Sequence, residues 1–243
     1  YTGAAGEALL RPTRGVAGEA LLRPTRGGAG EATLRPTSLR GSRMLDYTRF
    51  YRRHLPHFQP NGATLFVTFR LAGSLPKGVA ERLQAESELV RAQIARCEPA
   101  TASKLYEEYR RAFGRFDSHL DAAAYGPRWL EQPEVARLVA DALCARDGVV
   151  LDMAAYCIMP NHVHAVFSLR NDGNGVPFAL QKVMQSLKAH TARAANWALA
   201  RSGAFWQHES YDHVVRDGGE LERIVAYVVN NPVKAGLLAT AGK

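Results

Sequence analysis

Tyr156-Cys-Ile-Met-Pro-Asn-His-Val-His-Ala-Val-Phe167 runs apolar, breaks at Pro160-Asn161, and resumes apolar with two histidines in it. The break predicts a tight turn. The runs on either side, Gly148–Met159 and His162–Leu169, then read as the two strands of a β-hairpin. Alternate side chains of a strand point to opposite faces. His162 and His164 therefore share one face, while Val163, Ala165, Phe167 and Leu169 share the other and enter a core. Two imidazoles on one face suit a divalent metal. They equally suit the polar face of a half-buried strand, and the pair alone does not choose.

Outward from the hairpin, Ala63–Leu71 is β-branched and aromatic and reads as a first strand. Val79 to about Phe113 is charged with helical spacing, enough for two helices, and another helix is expected around Pro133–Arg146. Asn171–Gly175 reads as a loop, Pro177–Ala200 as a helix carrying Lys182, Lys188, His190 and Arg193, and Phe205–Val215 as a fourth strand. Asp217, with Glu220 three residues on, opens a last helix through a capping box. The order strand, helices, strand, strand, helix, strand, helix predicts an α+β domain on a mainly antiparallel sheet. It is compatible with a ferredoxin-like split βαβ core carrying a helical insertion and a C-terminal helix. The insertion, about Ser74–Asp147, has no assignable role in the sequence.

On the last helix, Leu221, Ile224, Val225 and Val228 form the buried stripe. Tyr227 flanks that stripe, with Arg223 one turn before it and Asn231 one turn after. Asn231 precedes Pro232, a position that disfavours helical geometry.

The chain has 243 residues, 47% of them hydrophobic, enough for one or two domains. No apolar run reaches the roughly 18–20 residues of a membrane span, and the start lacks a signal-peptide layout. A soluble cytoplasmic protein with no membrane partner is the expectation. Three cysteines without a CxxC pair exclude a disulfide framework and a cysteine zinc site. The net charge of +8 favours a polyanionic partner. Basic and aromatic residues interleave between Asp46 and Pro60, which fits a nucleic-acid contact or an exposed polar lead-in.

Residues 1–43 hold seven arginines against three glutamates, so about half the charge excess sits there. They also repeat. Gly6-Glu-Ala-Leu-Leu-Arg-Pro-Thr13 recurs from Gly18 to Thr25 and, with one change, from Gly30 to Thr37. So short a unit, with one proline and a couple of large apolar residues, buries too little surface to offset its ordering entropy. The expectation is a disordered basic tail over 1–43 and one folded domain over 44–243. Met44 is the first methionine, so the tail also fits translated repetitive DNA upstream of a start; a basic nucleic-acid arm is the rival.

Four stretches together resemble a known family: Tyr156–His164, Met184-Gln-Ser-Leu-Lys188, Gly203–His213, and Tyr227-Val-Val-Asn-Asn-Pro-Val-Lys-Ala-Gly-Leu237. The chain resembles the HUH single-strand nucleases, and within them the REP-associated tyrosine transposases. The resemblance implies that His162 and His164 hold Mg²⁺ or Mn²⁺, with Asn231 completing the metal site, and that Tyr227 is the nucleophile. No acidic third ligand is evident, because Met159 and Asn161 stand where some relatives carry a carboxylate. The implied partners are single-stranded DNA hairpins formed by repetitive extragenic palindromes, cut through a 5′-phosphotyrosine link by a monomer or homodimer. Lys182, Lys188, Arg193, Arg216 and Arg223 are candidates to hold the DNA. Tyr211 and Tyr156 read as packing residues. Two rivals stand beside this: a catalytically silent protein that binds palindromic repeats, and a metal-dependent phosphohydrolase using water. The latter needs carboxylates near the histidines, and the nearest in sequence, Asp152 and Asp172, are poorly placed.

Overall fold

In a computed structural model, residues 20–22, 50–52, 56–58, 62–94, 111, 114–122 and 124–237 are described. The strands are β1 (Ala20–Leu22), β2 (Phe50–Arg52), β3 (Pro56–Phe58), β4 (Thr64–Arg70), β5 (Leu151–Ile158), β6 (His162–Leu169) and β7 (Tyr211–Val214). The helices are α1 (Lys77–Ile94), α2 (114–121), α3 (Pro133–Cys144), α4 (Leu180–Ala198) and α5 (Gly218–Lys234), with a 3₁₀ turn at Trp129–Glu131.

The main sheet has the order β1-β5-β6-β4-β7, antiparallel throughout. Without β1 it is strand–helices–strand–strand–helix–strand with the last strand beside the first, which is the expected split βαβ arrangement. β2 and β3 pair separately. The hairpin turns at Pro160-Asn161, where Met159 N–H donates to the His162 carbonyl at 2.9 Å. No helix among the described residues is long and apolar enough to cross a membrane.

The alternation read from β6 sorts the two faces. Val163, Ala165, Phe167 and Leu169 pack with Leu65, Val67 and Phe69 of β4 under α3 and α4. The opposite face carries Phe66, Ala155, Cys157 and Val166 under Val228 and Val229 of α5. Both histidines stand on this second face, opposite Arg70 and Thr68 of β4.

Three expectations are corrected. The fourth strand is shorter than Phe205–Val215: Trp206 bridges to Leu71, and only Tyr211–Val214 forms a ladder with β4. The reason lies in the core, since Phe205 and Trp206 turn inward and the Trp206 indole donates to Thr191 Oγ1 at 2.8 Å. Second, α5 runs through Pro232 to Lys234, so Asn231 is helical despite the proline after it. Third, the capping box at Asp217 is half formed. Asp217 Oδ1 accepts the Glu220 N–H at 2.8 Å, but the Glu220 carboxylate turns to the Arg216 N–H and to His213.

Within the repeat tail only Ala20–Leu22 is described, paired along β5 with Leu21 opposite Tyr156. An open strand edge offers unpaired backbone groups, which any short extended segment can satisfy. The rest of the tail, and most of the basic-aromatic stretch from Asp46 to Pro60, lie outside the described residues.

One glycine has a steric duty. Gly126 has φ near +78°, and a Cβ there would lie 2.1 Å from the Gly73 carbonyl oxygen. The segment that follows α2 thus packs against the turn that follows β4.

Candidate active site

β6 presents two imidazoles whose Nε2 atoms lie 2.9 Å apart, both fully buried. Each ring is oriented through its other nitrogen. His162 Nδ1 meets Asn161 Oδ1 at 2.7 Å, and His164 Nδ1 meets Thr68 Oγ1 at 2.7 Å. Asn161 Oδ1 is an acceptor only, so His162 Nδ1 carries the proton and its Nε2 a lone pair. Partners on the outer nitrogen that free the inner one for a ligand are the usual support of metal-binding histidines. Burial lowers the basicity of both rings, His164 further because His162 adjoins it. Both are therefore neutral, the state that binds metal.

α2 supplies what the sequence reading lacked. Asp117 and Asp121 are one helical turn apart and face the histidines. Asp121 Oδ1 lies 3.4 Å from His162 Nε2, and Asp117 Oδ1 lies 3.5 Å from His164 Nε2. The ligand atoms of the four residues fall within 4.8 Å of one another. The same two carboxylate oxygens are buried without a hydrogen-bond partner among the described residues. Buried orphan oxygens are costly. Two of them converging on the two imidazole Nε2 atoms make a donor set that a cation would satisfy. Two carboxylates and two neutral imidazoles would balance a divalent charge.

Burial, then the neighbouring Asp121, push the Asp117 carboxyl from an ordinary 3.8 to about 8, against the lowering effect of a hydrogen bond from Tyr227. The folded state thus holds this proton more tightly than the unfolded chain. The associated stability is full below about pH 4 and is lost as pH rises through about 8. Thermal melts in EDTA are expected to fall across that window, by at most about 6 kcal/mol in stability. Asp117→Asn is expected to flatten the profile.

Tyr227 stands at the edge of this group. Its hydroxyl donates to Asp117 Oδ2, Asp121 Oδ2 lies 3.5 Å away, and Asn231 Nδ2 donates to the phenolic oxygen at 3.2 Å. Phe66 and His164 hold the ring edge-on, and Lys234 Nζ lies 5.4 Å from its centre. Burial and then the two carboxylates drive the phenol well above its ordinary pKa. Without a compensating cation it is held as a neutral phenol. A cavity of about 520 Å³ opens onto it, lined among others by Asp117, Asp121, Tyr211, His213, Arg223 and Lys234.

The structure therefore brings His162, His164, Tyr227 and Asn231 together. Asn231 makes its visible bond to the phenol, and its place on a metal stays a proposal. Tyr211 packs beside the α5-side cluster and lines the cavity without taking Tyr227's bond to Asp117. Tyr156 is buried, its hydroxyl 3.7 Å from Cys144 Sγ. Asp117 and Asp121 were missed; their only signal was an Asp-x-x-x-Asp spacing inside an insertion without a role.

The five candidate DNA cations separate. Arg223 is exposed on the cavity wall. Arg216 braces Glu220, whose carboxyl burial would raise but hydrogen bonds from His213 and Arg216 hold at about 2. Lys182 and Arg193 are exposed on α4, across the sheet. Lys188 is half-buried, and its ammonium donates to the carbonyls of Gln207, His208 and Glu209 at 3.0, 3.1 and 3.2 Å. A cation so engaged secures the loop that interrupts the fourth strand. Lys188→Met is expected to cost about 2 kcal/mol in urea unfolding, a larger effect than any on DNA affinity.

Residues 133–231 match the family described as IS200-like transposases. A putative REP-associated tyrosine transposase of Haemophilus influenzae is 31% identical over 90 residues, which is 35% of this chain and 51% of that protein. An uncharacterized protein of the same organism is 28% identical over 94 residues, 32% of this chain and 52% of that one. The chain thus spans about half the length of these curated relatives. A solved structure of a REP-associated tyrosine transposase bound to a REP hairpin aligns with TM-score 0.42 and 16% identity over 79% of this chain and 76% of that one. The matched segment includes His162, His164, Tyr227 and Asn231 and excludes Asp117 and Asp121. Through residues 133–231, this chain is similar to the IS200-like transposases.

Proposed function

We propose that the chain is a single-stranded DNA endonuclease and strand transferase that acts at palindromic hairpins through a 5′-phosphotyrosine intermediate. The observation that carries this reading is the Tyr227 hydroxyl bonded to Asp117 within the group of Asp117, Asp121, His162 and His164. A nucleophile bonded to its proton acceptor beside a candidate metal centre is the arrangement that activates a phenol.

His162, His164, Asp117 and Asp121 would hold the metal, with Asn231 adjoining. Mixed imidazole and carboxylate donors favour Mn²⁺ over Mg²⁺, which prefers an all-oxygen shell. Bound there, the cation would offset the two carboxylates and polarise a phosphate oxygen. The chain's own residues do the rest. Asn231 orients the phenolic oxygen and Asp117 takes its proton. Tyr227 Oη bonds to phosphorus as the bond from phosphorus to the 3′ oxygen breaks. The departing 3′ oxygen takes a proton from solvent, and the 5′ phosphate stays on the tyrosine. Attack by a 3′-hydroxyl on that ester restores a phosphodiester and the phenol, so rejoining needs no nucleotide cofactor. Arg223 and Lys234, which line the cavity, would hold flanking phosphates.

The test is covalent capture. End-labelled single-stranded hairpin oligonucleotides from DNA flanking the gene are incubated with protein in Mn²⁺ or in EDTA. A denaturant-resistant adduct that requires metal supports the proposal. A second reading, a metal-dependent phosphohydrolase, gains from the same structure, because the carboxylates it requires stand beside the histidines. Metal-dependent cleavage without an adduct would select it. Binding with neither cleavage nor adduct would select the silent recognition protein.

A further inference from the structure

α4 lies on the sheet face opposite the candidate active site, packed with α3 through Leu180, Val183, Met184, Leu187, Thr191 and Ala195. Its outward side is less ordinary. In nineteen residues the helix has no aspartate or glutamate, and Lys182, Lys188, His190 and Arg193 stand on it. At 100° per residue, Lys182, Ser186, Ala189, Arg193 and Trp197 fall within a stripe about 80° wide, centred away from the buried side. Ser186 accepts a hydrogen bond from Arg146 of the segment after α3, at 3.1 Å, which adds a cation to the row. Trp197, in the last turn, is 85% exposed. The other two tryptophans are used by the fold: Trp206 is buried, and Trp129 stacks on Phe205 under the Arg201 guanidinium.

An indole left in water at the end of a cationic row gains nothing from the fold. It is what a base needs. Single strands are held by cations that track phosphates and aromatic faces on which bases stack. A duplex keeps its bases stacked on each other and offers an isolated indole no face. Lys182 and Trp197 are fifteen residues apart, about 22 Å along the helix, room for several nucleotides.

We infer that the outward face of α4 (Lys182, Arg193 and Trp197, with Arg146) is a second single-stranded DNA site, across the sheet from the candidate active site, with Trp197 as its stacking platform. This rests on the reading of the substrate as single-stranded DNA and is independent of the Tyr227 chemistry. A strand held there and cut at Tyr227 must pass round an edge of the sheet. The α4 face then grips flanking sequence while the cavity takes the scissile phosphate.

The full chain carrying Tyr227→Phe separates binding from chemistry. It is titrated with an unstructured thymidine 20-mer and with the corresponding duplex, in EDTA, by tryptophan fluorescence. The single strand is expected to quench emission, and Trp197→Phe is expected to remove the quenched component. Trp197→Ala should bind about 10-fold more weakly at an unchanged melting temperature, since the ring makes no core contact. Lys182→Ala with Arg193→Ala should lower the slope of log affinity against log salt by about 1.4. No quenching by the single strand, quenching that persists in Trp197→Phe, or equal binding and quenching by duplex would overturn the inference. Covalent capture with the unmodified chain reports on the other reading. An adduct without Trp197 quenching sinks only the α4 site, and quenching without an adduct leaves that site standing while the nuclease reading fails.

Discussion

Tyr227→Phe is expected to abolish the covalent protein–DNA adduct, a loss on the order of 10³-fold or more. The change removes one oxygen and leaves the ring in place. Phenylalanine can still meet Phe66 and His164 edge-on, so the fold around α5 should survive. What disappears is the atom that bonds to Asp117 and accepts from Asn231. Metal binding, read as a rise in melting temperature on adding Mn²⁺, should persist because the four ligand candidates are untouched. An adduct that survives in Tyr227→Phe would move the nucleophile elsewhere, with Tyr211 on the same cavity as the next to replace. Cleavage that survives without an adduct would leave water as the nucleophile.

Asp117→Asn and Asp121→Asn should act with opposite signs on two properties of one protein. Each removes a carboxylate whose buried Oδ1 lacks a hydrogen-bond partner among the described residues. The metal-free protein should therefore become more stable at pH 8, Asp117→Asn most, because burial and Asp121 oppose ionisation of Asp117. The same variants should weaken Mn²⁺ by about 10- to 100-fold or more, since a ligand is lost outright. Adduct formation should fall with metal occupancy in both variants, and further in Asp117→Asn, which also loses the proposed proton acceptor. Melting temperatures with and without Mn²⁺ read both signs in one experiment. If the variants stabilise the protein without altering the Mn²⁺ response, the aspartates are not ligands.

How far the site was legible depended on the distance over which its parts are linked. His162 and His164 share a face because strand pleating is set by adjacent residues. Tyr227 and Asn231 meet because one helical turn links them, and Asn231 kept that place against the preference of Pro232 because the packing of α5 on β5 and β6 outweighed a local penalty. The βαββαβ order was visible in the succession of patterns, and the sheet places β6 at its centre. Lys188 was misleading for the opposite reason. A lysine on a helix reads as a free charge, and only the loop at Gln207–Glu209, folded back over it, turns it into an internal donor.

Local spacing in the chain was thus enough for the succession of strands and helices, the paired imidazoles and the tyrosine-bearing helix, because each depends on bonds within one element. The meeting of α2 with β6 was decided by packing alone. Asp117 and Asp121 are about forty residues from the histidines in sequence, and no periodicity links a helix in an insertion to a strand it meets only in the folded chain. The tertiary structure supplied the two carboxylates, and with them the charge that a divalent ion at this site would balance.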